Sequence, residues 1–169
     1  MIRAAMLLAG VLAVSADAAP APRWQLTVDG VGPVKIGMTQ ARVSKLLKTK
    51  LTGQPVEDEE TCVEKGTAKY PGLFFMFEGG KVTRISLSEP SKIRTQRGIG
   101  IGATAAEVRR AYPKGLAAEV HEYVGAPGEY LTFWTVRNKR GIRFETDEKR
   151  RVQVIHAGTG SIQYIEGCA

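Results

Sequence analysis

Apolar, small and helix-capping residues follow one pattern in two separate segments of the chain. The sequence VKIGMTQARV begins at Val34 and IGIGATAAEV begins at Ile99, 65 positions later, and the two share Ile-Gly-x-Thr-x-x-x-Val. Glycine permits a sharp turn, and threonine is a favoured N-cap because its side-chain oxygen accepts from a free amide of the first helical turn. We therefore predict a turn and then a helix in each segment, at Gln40–Lys48 and at Ala105–Tyr112.

Antiparallel strands are predicted after each helix. In the first half, the apolar run Leu73–Phe77 and the return strand Val82–Leu87 flank a hairpin turn at Glu78–Lys81. The predicted strands of the second half are Val120–Val124, Tyr130–Val136, Ile142–Glu145, Val152–Ile155 and Ile162–Ile165. Alternation of apolar and polar positions is typical of antiparallel sheets that have one face on a core and one face in water.

The repeated pattern also predicts the domain organisation. Beyond the helices the match continues at an offset of about 70, where Val82 aligns with Val152 and Ile85 with Ile155. Each copy alone is small for burying a core of its own. We therefore predict an α+β fold of two tandem helix-plus-antiparallel-sheet repeats, residues 19–90 and 91–169, which share a core or a sheet.

The first 18 residues have the composition of a secretory signal peptide. Arg3 precedes an apolar run from Ala4 to Val14, and Ala16 and Ala18 stand where a signal peptidase cleaves. The run of 11 residues is shorter than the ~20 that span a bilayer. We predict cleavage after Ala18, no lipid anchor, no integral membrane segment in the mature chain, and a periplasmic or secreted protein.

Export changes the expected role of the cysteines. Cys62 and Cys168 are the only two in the chain, and in an oxidising compartment two lone cysteines usually pair. The sequence has no CxxC or Cys-His signature that would favour a reactive thiol at Cys62. We therefore predict a Cys62–Cys168 disulfide that ties the C-terminal residues to the first half of the chain.

The charge balance is basic. The chain has 24 Lys and Arg residues against 17 Asp and Glu, a formal charge of +7. Export and the lack of a recognised binding motif disfavour nucleic acid as the partner. The surplus concentrates between Arg137 and Arg151, in two predicted hairpin turns at opposite ends of the sheet. Solubilising charge is the simpler interpretation. The alternative is that the basic turns attract an acidic partner or an anionic envelope surface, which would make the protein a binder of anionic lipid or polysaccharide.

Aromatic and basic residues of the second half form the candidate partner-binding set. Strand alternation places Tyr130 and Trp134 on one face, which is either a second packed face or an exposed hot spot, since aromatic residues dominate interface energetics. The candidate partner-binding residues are Tyr130, Trp134, Arg137, Lys139, Arg140 and Arg143.

Cofactor and metal sites receive little support from the sequence. Gly98–Ala103 fits the dinucleotide pattern GxGxxA, but a polar segment precedes it and hairpins follow it, whereas the pattern requires a parallel βαβ unit. The acidic run Glu57–Glu60 lacks the spaced oxygen ligands of a calcium loop. We expect no cofactor and no resident metal.

Histidine chemistry is the remaining route to catalysis. His121 and His156 are the only histidines, and they have no HxxxH or HExxH spacing. Glu119 and Glu122 flank His121, for which an exposed strand face is the simpler expectation. We expect no catalytic residues, and the alternative is a small envelope hydrolase that uses His121 with nearby carboxylates.

The doubled Ile-Gly-x-Thr-x-x-x-Val motif, placed after a signal peptide and before antiparallel strands, resembles two kinds of envelope protein. One kind is the SmpA/OmlA (BamE) type, and the other is the tandem-repeat β-lactamase inhibitor proteins. The resemblance implies a non-enzymatic module that binds another envelope or secreted protein, as an inhibitor or as an outer-membrane assembly accessory. The matched positions, Gly37, Thr39, Gly102 and Thr104, are structural, so no binding site is carried over.

Overall fold

A computed structural model of the protein describes residues 24–53, 61–136 and 139–168, and within these ranges the fold is mixed α+β. The helices are α1 (Gln40–Leu47) and α2 (Ala105–Ala111). The strands are β1 (Gln25–Thr27), β2 (Gly30–Val31), β3 (Val34–Lys35), β4 (Cys62–Gly66), β5 (Leu73–Glu78), β6 (Lys81–Leu87), β7 (Arg94–Thr95), β8 (Leu116–Val120), β9 (Glu129–Val136), β10 (Arg140–Thr146) and β11 (Val152–Gly158).

One seven-stranded antiparallel sheet contains strands from both halves of the chain. Its order is β4-β5-β6-β11-β10-β9-β8, so β6 of the first half pairs with β11 of the second half at the centre. A second, four-stranded sheet has the order β3-β2-β1-β7, in which β1 and β7 run parallel. The α+β class is therefore confirmed, whereas the small second sheet was not predicted because its strands are only two or three residues long.

Both helices begin at the predicted threonine caps. The Thr39 side chain accepts from the Arg42 backbone N–H at 3.4 Å. Thr104 accepts from the Glu107 N–H at 3.2 Å, and the Glu107 carboxylate accepts from the Thr104 N–H at 2.7 Å, which completes a capping box. The hydrogen bonds from Thr104 lower the pKa of Glu107.

The two halves attach helix to sheet through the same backbone contacts. The Gly37 N–H donates to the Val82 carbonyl at 2.7 Å, and the Gly102 N–H donates to the Val152 carbonyl at 2.8 Å. In return, the Val82 N–H donates to the Met38 carbonyl at 2.9 Å, and the Val152 N–H donates to the Ala103 carbonyl at 2.8 Å. Gly37 and Gly102 have φ values of 88° and 83°, a region that favours glycine, which is why the motif requires this residue.

The hydrophobic core lies on the face of the large sheet that carries the helices. Residues of α1 and α2 contribute to one cluster with alternate strand residues of both halves, so the halves share a core. Its fully buried members include Val43, Leu47, Val108, Phe75, Phe77, Ile85, Phe144 and Ile155.

Two predicted strands of the second half are wrong. The strand before the β8–β9 connection is Leu116–Val120 and not Val120–Val124, and His121 lies just beyond its end. The final strand expected at Ile162–Ile165 is absent, and its first two residues belong to a single 3₁₀ turn, Gly160–Gln163, which Thr159 caps by accepting from the Ser161 N–H.

None of the helices in the described ranges has the length and apolar character needed to span a bilayer. The signal peptide and the Glu57–Glu60 run lie outside the described residues.

Candidate functional site

The face of the large sheet opposite the helices carries an unusual concentration of polar side chains. We call it the second face. Strand register aligns one row of residues across all seven strands, in the order Gly66, Phe74, Ser86, His156, Arg143, Thr132 and Ala117. Although four of these residues are polar or charged, Ser86, His156, Arg143 and Thr132 are each less than 9% exposed. A buried polar row of this kind needs a cover and hydrogen-bond partners.

Part of the cover is the segment Thr159–Cys168 near the C-terminus, which we call the C-terminal strap. It crosses the second face and ends at the Cys62–Cys168 disulfide on edge strand β4, as predicted. The Arg84 Nη1 group donates to the Ser161 carbonyl at 3.2 Å and to the Tyr164 carbonyl at 3.0 Å. Ile162 is fully buried and sits against Gly141, where an added Cβ would meet its Cδ1 atom at 3.0 Å.

A chain of polar contacts runs beneath the strap. The Ser86 hydroxyl lies 3.2 Å from Glu64 Oε1 and 2.9 Å from His156 Nδ1. On the other side of the ring, His156 Nε2 lies 3.2 Å from Glu145 Oε1. The second oxygen of Glu145 faces His121 Nε2 at 3.8 Å. One carboxylate therefore connects the two histidines of the chain.

Burial and neighbouring charges set the protonation of this chain of contacts. Burial lowers the pKa of His156, and the positive charge of Arg84 acts in the same direction, against the hydrogen bond that Glu145 accepts. Burial alone would raise the pKa of Glu145, but the hydrogen bond with His156 and the positive charge of Arg143 act against burial, and the pKa is lowered. A neutral His156 that donates its Nε2–H to an ionised Glu145 is consistent with both directions.

Arginines balance the carboxylates of the second face. Arg84 is 3% exposed and lies 3.5 Å from Glu64, and burial lowers its pKa. Arg143 is also 3% exposed, with its guanidinium 3.8 Å from the centre of the Tyr130 ring and 4.0 Å from Glu119. Within the described residues the Nε atoms of both arginines have no hydrogen-bond partner. The network is therefore nearly, but not completely, satisfied.

An open groove of about 790 Å³ lies between the strap and the first half of the sheet. Its floor includes Ser86 and His156, its carboxylates are Glu64 and Glu166, and Phe74 forms an apolar wall. Phe74 is 37% exposed, which is high for a large apolar side chain on a central strand. The groove thus combines an aromatic surface with two carboxylates.

Neither a family model, nor a curated protein, nor a solved structure matches this chain.

The predicted partner-binding residues are divided between buried and exposed positions. Tyr130 is 3% exposed and stacks on His121 with ring centroids 4.3 Å apart, and burial raises its pKa. Arg143 lies in strand β10, as predicted, and its side chain is 3% exposed. Neither side chain is available on an open surface, because the β8–β9 connection and the neighbouring strands cover them. His121 is likewise not on an exposed strand face, since its side chain is only 12% exposed.

The other predicted residues lie near the β9–β10 turn. Trp134 is half-buried, with its ring over Gly141. Lys139 is exposed, and Arg140 forms an ion pair with Asp29 at 3.4 Å. Arg137 lies outside the described residues. Lys149, Arg150 and Arg151 lie at the opposite end of β10, so the basic turns are separate.

Three residues of the network, Arg84, Ser86 and Glu145, were not singled out from the sequence. Arg84 and Ser86 interrupt the strand KVTRISL at alternate positions, which is also the pattern of a solvent-facing strand side. The covering strap is more than seventy residues away in sequence, so the local pattern contains no signal for their burial. Among the described residues, no cluster of three or more His, Cys, Asp and Glu side chains is arranged to hold a metal ion.

Proposed function

We propose that this protein is an exported, non-enzymatic module of the bacterial cell envelope that binds another protein through the strap side of the second face. The observation that carries this proposal is the position of the exposed apolar side chains. Tyr164 and Ile165 in the strap are 47% and 44% exposed, and Phe74 across the groove is 37% exposed. Tyr123 is 65% exposed and donates its hydroxyl hydrogen to Glu166 of the strap. Clustered exposed aromatic and aliphatic residues mark protein interaction sites.

The groove carboxylates define the chemistry of the partner segment. Glu64 is one-third exposed and Glu166 is exposed, and both line the groove beside Phe74. A cation over an aromatic ring gains from the ring quadrupole, and a nearby carboxylate adds a charged hydrogen bond. We expect the partner to present an Arg or Lys next to an apolar residue.

The matched contacts of the two halves support descent from one duplicated unit. The Gly37–Val82 and Gly102–Val152 bonds recur at the offsets of 65 and 70 that the sequence repeat requires. Ser86 and His156, which are 70 positions apart, pair with each other at the sheet centre. On either side of them, Leu87 pairs with Ile155 and Ile85 pairs with Ala157. Adding 70 to a first-half residue of one flanking pair gives the second-half residue of the other, so the two flanking pairs are equivalent. We propose two tandem repeats related by an approximate two-fold axis through this pair, as in the tandem inhibitor proteins that the motif resembles.

Export to the periplasm or beyond is part of the same proposal. The described Cys62–Cys168 disulfide fits an oxidising compartment, and free cysteines are absent from the described ranges. Cleavage after Ala18 remains a prediction from sequence. Mass spectrometry of the N-terminus of the exported protein measures it directly.

Site-specific photo-crosslinking tests the protein-binding function. A benzophenone amino acid replaces Phe74 or Ile165 in the protein expressed in its own envelope, and a third variant carries it at Lys114, an exposed loop position after α2. We expect Phe74 and Ile165 to form an adduct with the same protein and Lys114 to form none. Equal adducts from all three positions, or no adduct from the first two, would overturn the proposal.

A charge substitution tests the partner chemistry. Glu166→Gln removes one groove carboxylate, and Lys139→Gln removes one exposed charge in the distant β9–β10 turn. We expect Glu166→Gln to weaken the complex by about threefold to tenfold and Lys139→Gln to leave it unchanged. The opposite order would favour the basic turns, and hence an acidic partner or an anionic surface.

One observation favours a second candidate, a small envelope hydrolase. The Ser86 hydroxyl, His156 and Glu145 stand in the order nucleophile, base and orienting carboxylate, with contacts of 2.9 and 3.2 Å. Against this candidate, Ser86 is 4% exposed and lies in a strand paired on both sides. Its neighbouring amides are therefore used by the sheet and not aimed at an oxyanion.

A fluorophosphonate probe distinguishes the two candidates. We expect no covalent labelling of the folded protein, because the hydroxyl is enclosed by the sheet and the strap. Stoichiometric labelling that disappears in Ser86→Ala would replace the binding proposal with the hydrolase. The matched control is Ser88→Ala, since Ser88 also lines the groove but is not part of the histidine chain.

A further inference from the structure

A second groove lies beside residues 90–94, where the first half of the chain meets the second, and its lining contains no residue of the strap. Its volume is about 620 Å³, within the range of ~300–1,000 Å³ that is usual for small-ligand sites. Trp24 and Tyr70 form its aromatic wall, with ring centroids 4.7 Å apart and planes inclined by 41°. We call it the Trp24 groove.

The aromatic wall is held in place by the surrounding fold. The Trp24 ring lies directly against Gly32, where an added Cβ would approach the ring to 2.6 Å. Trp24 and Tyr70 are both half-buried and pack against the hydrophobic core, which leaves part of each ring open to the groove. Because these rings are already held in place, a ligand with a flat apolar face can bind them without the loss of side-chain conformational entropy that binding usually costs.

The rim of the Trp24 groove is positively charged. Lys69, Lys92 and Arg94 line it, and within the described ranges no Asp or Glu does so. The Lys69 ammonium donates to the Leu47 carbonyl at 2.9 Å and lies 5.4 Å from the centre of the Tyr70 ring, so its position is fixed. Arg94 donates one of its N–H groups to the Gly98 carbonyl at 2.9 Å. Lys92 is exposed and has no ion-pair or hydrogen-bond partner among the described residues.

Polar groups beside the rings complete the lining. Gln25 is exposed on β1, and the Ser91 hydroxyl accepts from the Ile93 N–H at 3.3 Å. Hydrophobic pockets with a few placed polar groups recognise ligands that combine an apolar face with hydrogen-bonding substituents. The three cationic side chains of the rim also favour a ligand that carries negative charge.

We propose that the Trp24 groove binds an acidic oligosaccharide, with a pyranose ring on Trp24 and Tyr70 and its carboxylate toward Lys92 and Arg94. A sugar ring has an apolar face of C–H groups, hydroxyl groups at its edge and, in a uronic acid, a carboxylate. These three features correspond to the aromatic wall, to Gln25 and Ser91, and to the cationic rim. An acyl chain would instead need an enclosed apolar channel, whereas this groove is partly open to solvent.

The two tryptophans of the chain provide the readout. Trp24 lines the groove, whereas Trp134 does not line it and packs over Gly141 of strand β10. Two indole N–H signals are therefore expected in a ¹⁵N spectrum of the disulfide-bonded protein, and Trp134→Phe assigns them. Trigalacturonate is the probe, and maltotriose is the neutral sugar of equal length. An acidic peptide and phosphatidylglycerol vesicles represent the other anionic classes.

We expect trigalacturonate to shift the Trp24 signal in a saturable manner and to leave the Trp134 signal in place. Lys92→Gln should weaken this binding by about threefold, as the loss of one exposed charge pair predicts. Lys114→Gln, the matched removal of an exposed lysine elsewhere, should not change it. Trp24→Ala should abolish the binding, which isothermal titration calorimetry measures because this variant lacks the Trp24 signal, and its folding is checked by the unchanged Trp134 signal.

Three outcomes would overturn the proposal. One is an unmoved Trp24 signal at about 10 mM trigalacturonate, which excludes even millimolar affinity. Another is an equal response to maltotriose, because the cationic rim then contributes nothing. The third is a response to the acidic peptide or to the vesicles alone, which assigns the groove to that class. Because the groove is separate from the strap, none of these outcomes depends on the crosslinking result.

Discussion

Removal of the disulfide is the sharpest test of how the strap joins the two halves. Cys62 and Cys168 are 106 positions apart, so the bond closes residues 62–168, which include the whole large sheet, into one loop. In the chain-entropy model, a loop of ~100 residues restricts the unfolded chain by about 4.7 kcal/mol at 25 °C, and removal of native disulfides typically costs about 2–5 kcal/mol. We expect Cys62→Ser/Cys168→Ser to lower the free energy of unfolding by about 3–5 kcal/mol.

The loss should be visible in both heat and urea. For a protein of this size, ~1 kcal/mol corresponds to about 2–4 °C, so a loss of about 3–5 kcal/mol should lower the melting temperature by about 6–20 °C. The slope of the free energy of unfolding against urea should become steeper, because the unfolded chain without its cross-link exposes more surface. Urea titration followed by tryptophan fluorescence measures both quantities.

A loss below ~1 kcal/mol with an unchanged urea slope would refute this account. Such a result would mean that the strap already confines the chain without the cross-link, or that the two cysteines do not pair in solution. Titration of free thiols in the unfolded wild-type protein separates these possibilities, since a paired protein has none.

Three further substitutions test the network and the helix caps. His156→Gln should flatten the pH dependence of stability below about pH 6.5, the usual pKa of histidine. The lowered pKa of His156 means that the unfolded chain binds the proton more tightly, so wild-type stability falls as the pH drops below about 6.5. An unchanged pH profile of the urea midpoint would contradict this. Arg84→Met should lower the free energy of unfolding by about 2–4 kcal/mol, because two strap carbonyls lose their donor. The control Arg109→Met breaks an exposed ion pair with Glu129 and should lower it by less than ~1 kcal/mol. Equal losses in urea titration would argue against the strap contact. Thr104→Ala should lower the free energy of unfolding by about 1 kcal/mol, and Thr39→Ala should lower it by less, because only Thr104 belongs to a capping box. Thermal melts that show the larger loss for Thr39→Ala would contradict this expectation.

Local chemistry explains which parts of the fold were predictable. Thr39 and Thr104 cap their helices through residues three positions away, so a short segment contains the whole signal. The hairpin of β5 and β6 is equally local, and two lone cysteines leave a single possible pairing. The caps and the hairpin depend on neighbours in sequence and the disulfide on the number of cysteines, and the structure has all of them at the expected places.

The candidate site depends on distant segments, and for that reason the sequence predicted it poorly. Alternating polar residues such as Arg84 and Ser86 have the same pattern whether water or a distant strap covers them. His121 was expected on an exposed face because its carboxylate partner, Glu145, and the ring that it stacks on, Tyr130, lie on other strands. Only the strand register brings these groups together.

The second face also explains why the strap and the disulfide occur together. Under a loose cover, the two buried arginines and the partly buried Glu145 would lose their hydrogen bonds each time water entered, and unpaired buried charges are strongly destabilising. Arg84 makes the cover part of the network by holding the Ser161 and Tyr164 carbonyls, and Cys168 fixes the end of the cover to β4. Because Ile162 packs on the second half while Cys62 belongs to the first, the strap fixes the width of the groove between them. Any partner that binds beside Phe74 therefore meets a surface whose shape is set by contacts from both halves of the chain.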